Sequence, residues 1–426
     1  MASDRFVFAH LADAHVGAWP RDAPLRGLLR ESVLRSIAQV RVEHAEFLLI
    51  SGDLFHTPVP DPAEVAPVAA ALRQLSIDGT RIYAIYGSHD YVAHKTSWLD
   101  VLAEAGAFAK VAPEAVRPEG ARWKLPFLVD EPTGARIAGI SGRSHGLDRG
   151  YFGDVDSERF RAEPGFKIFQ FHAAVEECLP PRLQAHIRGI ARADLPPDCG
   201  YYAGGHIHVM YQDEGPGGGL LVNPGAIFGT STPDLVYRQE HPGTQGLAVV
   251  TVARGRPSVR FFDPFPYSKL HIIDVNVTGR SGSEIRADTE VAARPYAGVG
   301  TNIIAHYTGT PSAAGLAALG VSESQRRFEE LGMSLHPDVR DVAGVSAEAT
   351  PALPESEIEA AGFAALSEET GPSAPWAGGP EGAQRLRALL QELALPRGEG
   401  ESRTDYVEAR VDGSSRLLGV RRVGPR

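Results

Sequence analysis

Short apolar runs in the first 265 residues of this chain repeatedly end in aspartate or histidine: FVFAHLADAH, AEFLLISGD, RIYAIYGSHD, FKIFQFH and GYYAGGHIH. A strand covered on both faces reads as an unbroken apolar run, so these segments are expected to be buried strands. RIAGISGRSH and GLLVNPGA have the same form. Helical spacing separates the first three runs. Leu25, Leu28, Leu29, Val33, Ile37 and Val40 follow i, i+3, i+4, i+7, as do Val65, Val68, Leu72 and Leu75. Alternating strands and helices predict an α/β fold built from strand–helix–strand units around a sheet with parallel pairs. In such sheets ligands collect beyond the carboxyl ends of the strands. The aspartates and histidines sit at those ends.

The residue types point to metal chemistry. Asp13 and His15 are two apart in extended chain, so a carboxylate and an imidazole share one side. Asp53 ends the second run, His89 and Asp90 the third, His172 the fifth; His206 and His208 are again two apart. Taken singly, each is an ordinary turn or strand-end residue. Occurring in order, at strand exits, they form a ligand set. Mixed carboxylate and imidazole donors favour Mn²⁺, Fe²⁺ or Zn²⁺ over an all-oxygen cage. The set exceeds what one ion needs, which predicts two ions, about 3.5–4 Å apart, sharing a carboxylate. Gly52, Gly87, Gly204 and Gly205 allow tight turns and close backbone approach, or are plain turn glycines.

A chain of 426 residues predicts two or three domains. Net charge is −11, so no sequence-wide basic excess advertises nucleic acid, although a local patch or bound metal can still engage it. Cys178 and Cys199 lack CxxC spacing, which argues against a disulfide scaffold or a thiolate zinc site. No stretch approaches the ~20 apolar residues of a membrane span, and the N-terminus lacks a charged start with a long apolar run. A cytoplasmic protein without membrane attachment is expected. Residues 268–340 read as a small α+β domain, with strands in KLHIIDVNV and TNIIAHYTG and a helix in SESQRRFEELG capped by Ser322. Residues 341–384 read as a linker rich in Ala, Glu, Pro and Gly. Beyond it, Leu386, Leu389, Leu390 and Leu393 share a helical face, and a second helix is expected over 402–411. Such a helix either docks on its own domain or binds a partner.

LADAHVG, SGDLF, GSHD, FH and GGHIH resemble the motifs of the calcineurin-like metallophosphoesterases. HLADAHVG, GDLFHTP and NPGAI resemble more narrowly the SbcD-type DNA double-strand-break repair exonucleases, which work with an SMC-like ATPase. The resemblance covers residues 5–265. It implies a four-layer αββα sandwich over 1–265, a capping, DNA-binding domain over 268–340 and C-terminal helices over 385–426 that bind an SbcC-type ATPase subunit. It implies that Asp13, His15 and His208 hold one metal, that Asp53 bridges, and that His172 and His206 hold the second. His89 then meets the phosphate and assists the leaving oxygen, and Asp90 orients His89. Ser88 stands where the family usually has an asparagine ligand, which implies a more loosely held second metal. His56, where the family often has an acidic residue, reads first as an inert turn residue, with an extra imidazole touching substrate near the mouth as the alternative.

The cofactor implied is a pair of divalent ions, Mn²⁺ first, with Mg²⁺ or Fe²⁺ as alternatives. The function implied is metal-dependent hydrolysis of DNA phosphodiesters in end processing and repair, by a homodimer acting on single- and double-stranded ends. Arg21, Arg26 and Lys95 are candidate phosphate contacts. The alternatives are a phosphodiesterase or phosphatase for nucleotides or phosphoproteins, and a scaffold with a weakened site.

Overall fold

The computed structural model describes residues 5–91, 96–111, 123–142, 149–184, 187–312 and 319–343, then 384–385, 388–389, 392 and 403–418. The chain divides into two compact units, Met1–Gly344 and Val345–Arg426.

The first unit contains two six-stranded sheets. One sheet takes β1 (Arg5–Leu11), β2 (Phe47–Ser51), β3 (Arg81–Ile85) and β4 (Ala109–Lys110) in parallel. The other takes β5 (Leu128–Asp130), β6 (Ala135–Ile140), β7 (Lys167–Phe171), β8 (Tyr201–Ala203), β9 (Tyr211–Glu214) and β10 (Leu220–Asn223), in the order β5-β6-β7-β8-β10-β9. Its four central strands are parallel and both edge strands antiparallel. A hairpin, β11 (Leu247–Ala253) and β12 (Arg256–Phe262), returns to the first sheet and pairs antiparallel with β1. Its turn is Arg254–Gly255, both with positive φ (51° and 72°), a form that matches the twist of hairpin strands.

Alternation along the strands builds three cores. Phe6, Phe8, Phe47, Leu49 and Ile85 from the first sheet meet Ile137, Ile168, Tyr201 and Val222 from the second. The opposite face of the first sheet, with Ala9, Leu11, Leu48 and Ile50, packs under helices α1 (Ala23–Val42) and α2 (Pro62–Ile77). The outer face of the second sheet packs Phe169 and Phe171 against Phe152, Phe160 and Leu195. Each sheet is therefore covered on both faces, which is why its strands are continuously apolar. The layering is that of the αββα sandwich.

The two sheets are also pinned at one edge. Asp130 on β5 is buried and accepts both arms of Arg81 on β3, at 2.9 Å each, and the Tyr83 hydroxyl at 2.9 Å. Burial pushes the Asp130 carboxyl up, but Arg81, Thr133 and Tyr83 outweigh it and hold it below the ordinary carboxylate range. Asp130→Ala should lower unfolding stability by about 2–3 kcal/mol in urea denaturation. This is less than the ~3–5 kcal/mol of a fully buried pair, because Arg81 keeps 30% exposure. The lowered value fixes the pH window. The stabilisation is complete above the ordinary carboxylate value near ~4 and is lost as pH falls through the lower folded-state value.

Residues 268–340 adopt two successive crossovers rather than segregated helices and strands. β13 (Leu270–Asn276), β14 (Asn302–Gly309) and β15 (Ser334–Val342) are all parallel, with helices Gly282–Ala293 and Val321–Glu330 between them. Parallel neighbours require such crossovers. β15 carries Pro337, tolerated because β15 is an edge strand. The helix at 321–330 is capped by Gly320 at φ 63°, not by Ser322, because it begins two residues earlier than a Ser322 cap would place it. In the second unit, the expected helix at 402–411 runs over Arg403–Leu418. Leu386, Leu390 and Leu393 lie outside the described residues.

Candidate metal centre

The carboxyl ends of β1, β2, β3, β7 and β8 meet at one mouth between the two sheets. Ser51 Oγ donates to the Ala203 carbonyl at 3.0 Å, and the loops after β1 and β2 join through Asp13 N to Gly52 O (3.1 Å) and His15 N to Asp53 O (2.9 Å). Chain packing here excludes side chains at the glycines. A Cβ on Gly87 would lie 2.0 Å from Asp53 Oδ1, and one on Gly52, at φ 86°, would lie 2.4 Å from His172 Nδ1. Both positions therefore require glycine for close approach.

Backbone strain concentrates in the same place. Asp13, His15, Asp53 and His206 all have positive φ, at 51°, 46°, 49° and 90°. Each such residue costs on the order of 1–3 kcal/mol and persists only where its surroundings over-determine it. The cross-loop hydrogen bonds do so, and His206 N adds bonds to both Asp13 oxygens at 3.0 and 3.1 Å. The strain turns these side chains into the mouth rather than along the strands.

Three ligand-type triads result, each with its donor atoms within 4.8 Å of one another: Asp13–His15–His208, Asp13–Asp53–His172 and His15–His56–His89. His172 Nε2 lies 3.1 Å from Asp53 Oδ2, and His15 Nε2 lies 3.1 Å from His208 Nε2. The His206 ring stands beside that of His172, with centroids 5.1 Å apart. Asp13, His15, Asp53 and His172 are at most 2% exposed.

Groups behind the site fix the imidazoles. His172 Nδ1 donates to the Ser51 carbonyl at 2.8 Å, leaving the buried Nε2 turned inward toward Asp53. His208 Nδ1 is held by Asp234 at 2.9 Å, which likewise leaves Nε2 facing the mouth. A buried, inward-facing ring nitrogen grouped with two carboxylates fits a cation, and the oxygen–nitrogen donor set fits a transition metal better than Ca²⁺. Burial alone would lower His172, but Asp53 and Asp13 raise it to about 10; Asp234 similarly raises His208 to about 9 against its burial. Burial lifts Asp13 to about 6, whereas His172 and His15 overcome burial to hold Asp53 well below the usual carboxylate range. A cation seated here takes the place of the imidazole protons, so its binding releases protons.

Asp234 was not legible as a site residue. Its oxygen also accepts from Thr230 N and Ser231 N, and in STPD it reads as the third helical residue of a capping box begun by Ser231. Asp234→Asn should weaken Mn²⁺ binding by about 10–100-fold in calorimetric titration, the usual effect of removing a carboxylate behind a ligating histidine. Binding within twofold of the parent would mean that His208 does not ligate.

The structure revises two expected roles. Asp90 does not orient His89. Its carboxylate accepts from the backbone N–H groups of Leu54 (3.2 Å), Phe55 (2.9 Å) and Gly87 (3.0 Å), locking the loops after β2 and β3 together. His89 Nδ1 is instead bonded to the His56 carbonyl at 2.8 Å, because the turn carrying His56 passes directly beneath it. Nor is His56 a bystander. Its ring stacks on His89 with centroids 5.1 Å apart, and its Nδ1 lies 3.4 Å from His15 Nδ1.

Ser88 is half-buried, with Oγ 3.4 Å from Asp53 Oδ2. An asparagine carbonyl there would reach further and bind a cation as a neutral ligand. Ser88→Asn is therefore expected to lower the Mn²⁺ concentration for half-maximal activity a few-fold; an unchanged requirement would make Ser88 a spectator. Of the suggested phosphate contacts, Arg21 is exposed. Arg26 is engaged by Glu64 (3.1 Å) and the Pro20 carbonyl (2.8 Å), tying α1 to α2. Lys95 lies outside the described residues.

Among the described residues, no helix is long and apolar enough to cross a membrane. No protein-family model matches the chain. It is similar to the DNA double-strand break repair protein Mre11 of Archaeoglobus fulgidus, 26% identical over 238 residues, 52% of this chain and 49% of that one. Against the Mre11 of Methanopyrus kandleri it is 27% identical over 229 residues, 51% of this chain and 48% of that protein. Against that of Methanococcus maripaludis it is 26% identical over 207 residues, 47% and 51% of the two chains. The chain thus spans about half the length of the curated relatives it matches. The likeness supports an SbcD- and Mre11-like protein of the metallophosphoesterase superfamily, in agreement with the sandwich fold.

Proposed function

We propose that this chain is a two-metal-dependent DNA phosphodiesterase, an exonuclease and endonuclease acting in DNA end processing and double-strand-break repair. The observation that carries this reading is the pair of triads sharing Asp13, set at the mouth of the sandwich beside His89. Asp13, His15 and His208 would hold one cation, and His172 and His206 the other, with Asp53 between them and Ser88 alongside. Two divalent cations, Mn²⁺ first, supply neutralisation of the scissile phosphate and a bound water of lowered pKa.

The chain's own groups do the rest. The Ser51 carbonyl and Asp234 hold Nδ1 of His172 and His208 and so aim their Nε2 atoms into the mouth, where a cation would take the place of the proton. The His56 carbonyl holds the Nδ1 proton of His89, so His89 Nε2 is the atom that meets the phosphate and passes a proton to the leaving oxygen. Asp90 keeps the two loops in register as a positioning residue. Residues 268–340 would cap the site and contact DNA, and phosphate contacts, among them Arg21 in the loop after β1, would be sequence-independent and salt-sensitive. The helices over 385–426 would bind an SMC-like ATPase, and the chain would act as a homodimer.

The test incubates the purified chain with Mn²⁺ and linear duplex and single-stranded DNA, beside a chromogenic phosphodiester. Mn²⁺-dependent degradation of DNA supports the reading; chromogenic turnover with DNA left intact would move the substrate to smaller phosphodiesters. Removing residues after 384 should abolish co-purification with the ATPase and spare basal nuclease activity. Retained ATPase binding by the shortened chain would overturn the C-terminal assignment.

A further inference from the structure

A cavity of about 340 Å³ opens directly beside the metal centre, and His206 and His208 form part of its wall. Its remaining lining is mainly apolar: Leu183, Ile187, Ile207, Val209 and Pro233. Arg182, Tyr237 and Asp234, the carboxylate that holds His208, complete it. The Arg182 guanidinium lies over the Tyr237 ring, 4.8 Å from its centroid. Tyr237 in turn stacks on His241, with centroids 4.2 Å apart and planes 20° apart. Three planar groups are thus aligned at the rim of an apolar slot, and Arg182 is exposed.

We infer that this cavity is a nucleobase subsite: it receives the base of the nucleotide adjoining the scissile phosphate. The inference rests on the proposed DNA phosphodiesterase activity and names where its substrate is gripped. Whatever fills the cavity touches His206 and His208, the groups proposed to hold the cations at the phosphate. In a nucleic acid, the group one sugar away from a phosphate is a base. A base is flat, with apolar faces, and fits a slot walled by aliphatic side chains. A guanidinium placed over an aromatic ring offers it a planar surface to stack on. The aliphatic walls carry no side-chain donor or acceptor, and Asp234 Oδ2 is taken up by His208 and by the N–H groups of Thr230 and Ser231, so the subsite takes any base. An apolar patch beside a charged centre would otherwise be a disadvantage in water, and a stacked base covers it.

The experiment uses the full chain with Mn²⁺ and single-stranded oligonucleotides that differ only by an abasic residue placed next to the cleaved bond. The parent protein should cut the base-containing strand with a kcat/KM about tenfold above the abasic one, the low end of what stacking one base contributes. Arg182→Ala, and Ile187→Trp, which fills the slot, should cut both strands equally, near the abasic rate. Arg182→Lys keeps the charge and loses the plane, so it should follow Arg182→Ala.

Binding supplies a readout independent of turnover. With Ca²⁺ in place of Mn²⁺, 2-aminopurine at the same position should be quenched by the parent protein and not by Arg182→Ala. Three results would overturn the subsite alone: no base preference in the parent, the same preference in the variants, or Arg182→Ala slowing both strands by one factor while Arg182→Lys restores both. The last would make Arg182 a phosphate contact. A parent protein that hydrolyses a chromogenic phosphodiester but cuts no DNA sinks the DNA reading itself, and the subsite with it.

Discussion

Asp53→Asn should reduce Mn²⁺-dependent phosphodiester hydrolysis by about 10³-fold or more and weaken uptake of the second cation. The carboxylate stands at the centre of the site: its oxygens lie 3.1 Å from His172 Nε2 and 3.7 Å from His15 Nε2. Removing its charge while keeping its shape removes an anionic oxygen that would lie between the two cations. Charge stabilisation by a metal pair contributes several kcal/mol to such a reaction, and each 1.36 kcal/mol is tenfold in rate. The amide keeps an acceptor for the His89 backbone N–H, which bonds Asp53 Oδ1 at 2.8 Å, so the fold should survive. Calorimetric titration with Mn²⁺ and single-turnover hydrolysis check the two halves of the expectation. Turnover and stoichiometry within threefold of the parent would mean that Asp53 does not bridge.

Much of this centre was legible because strand exits and ligand residues coincide in the sequence. Runs such as FVFAHLADAH name a buried strand and its exit in the same ten residues. Asp13, His15, Asp53, His172, His206 and His208 could therefore be placed at one edge before any contact was known. The groups that aim them could not. Two are backbone carbonyls, of Ser51 and His56, and any residue type supplies a carbonyl. The third, Asp234, carries a helix-cap signature that hides its second partner. Asp90 was read through its neighbour His89, yet its carboxylate turns the other way. Burial, together with the charge of Asp53, lifts that carboxyl to about 7, and the backbone N–H groups of Phe55 and Gly87 oppose the rise without cancelling it.

The fold shows the same division. The parallel strands were legible because both faces are buried. The β11–β12 hairpin was passed over although VARGR carries its turn, because Arg-Gly is a weaker hairpin signal than Asn-Gly and both strands follow a loop-rich stretch. β15 was missed for its internal Pro337, which a central strand would not tolerate and an edge strand does. Left-handed backbone at Asp13, His15 and Asp53 had no sequence signal at all, since nothing but the surrounding loops imposes it.

His89→Gln should lower kcat for DNA cleavage by about 10²–10⁴-fold, the range for removing a positioned acid, while Mn²⁺ affinity stays within about twofold. The separation follows from geometry. His89 is exposed, and its ring stands edge-on to His15, with centroids 4.9 Å apart, so it overlooks the cations' seats without being needed to fill them. Its contact with Asp53 runs through the backbone N–H, which the substitution retains. Glutamine can still donate from its amide to a phosphate oxygen, but it cannot deliver a proton to the leaving oxygen. The loss should therefore shrink on a substrate with a p-nitrophenolate leaving group, which departs without protonation, and stay large on DNA, whose leaving alkoxide needs the proton. Equal losses on both substrates would assign His89 to charge stabilisation rather than proton transfer. A fall in Mn²⁺ affinity as large as that in turnover would instead make His89 a ligand, shared with His15 and His56 in the third triad.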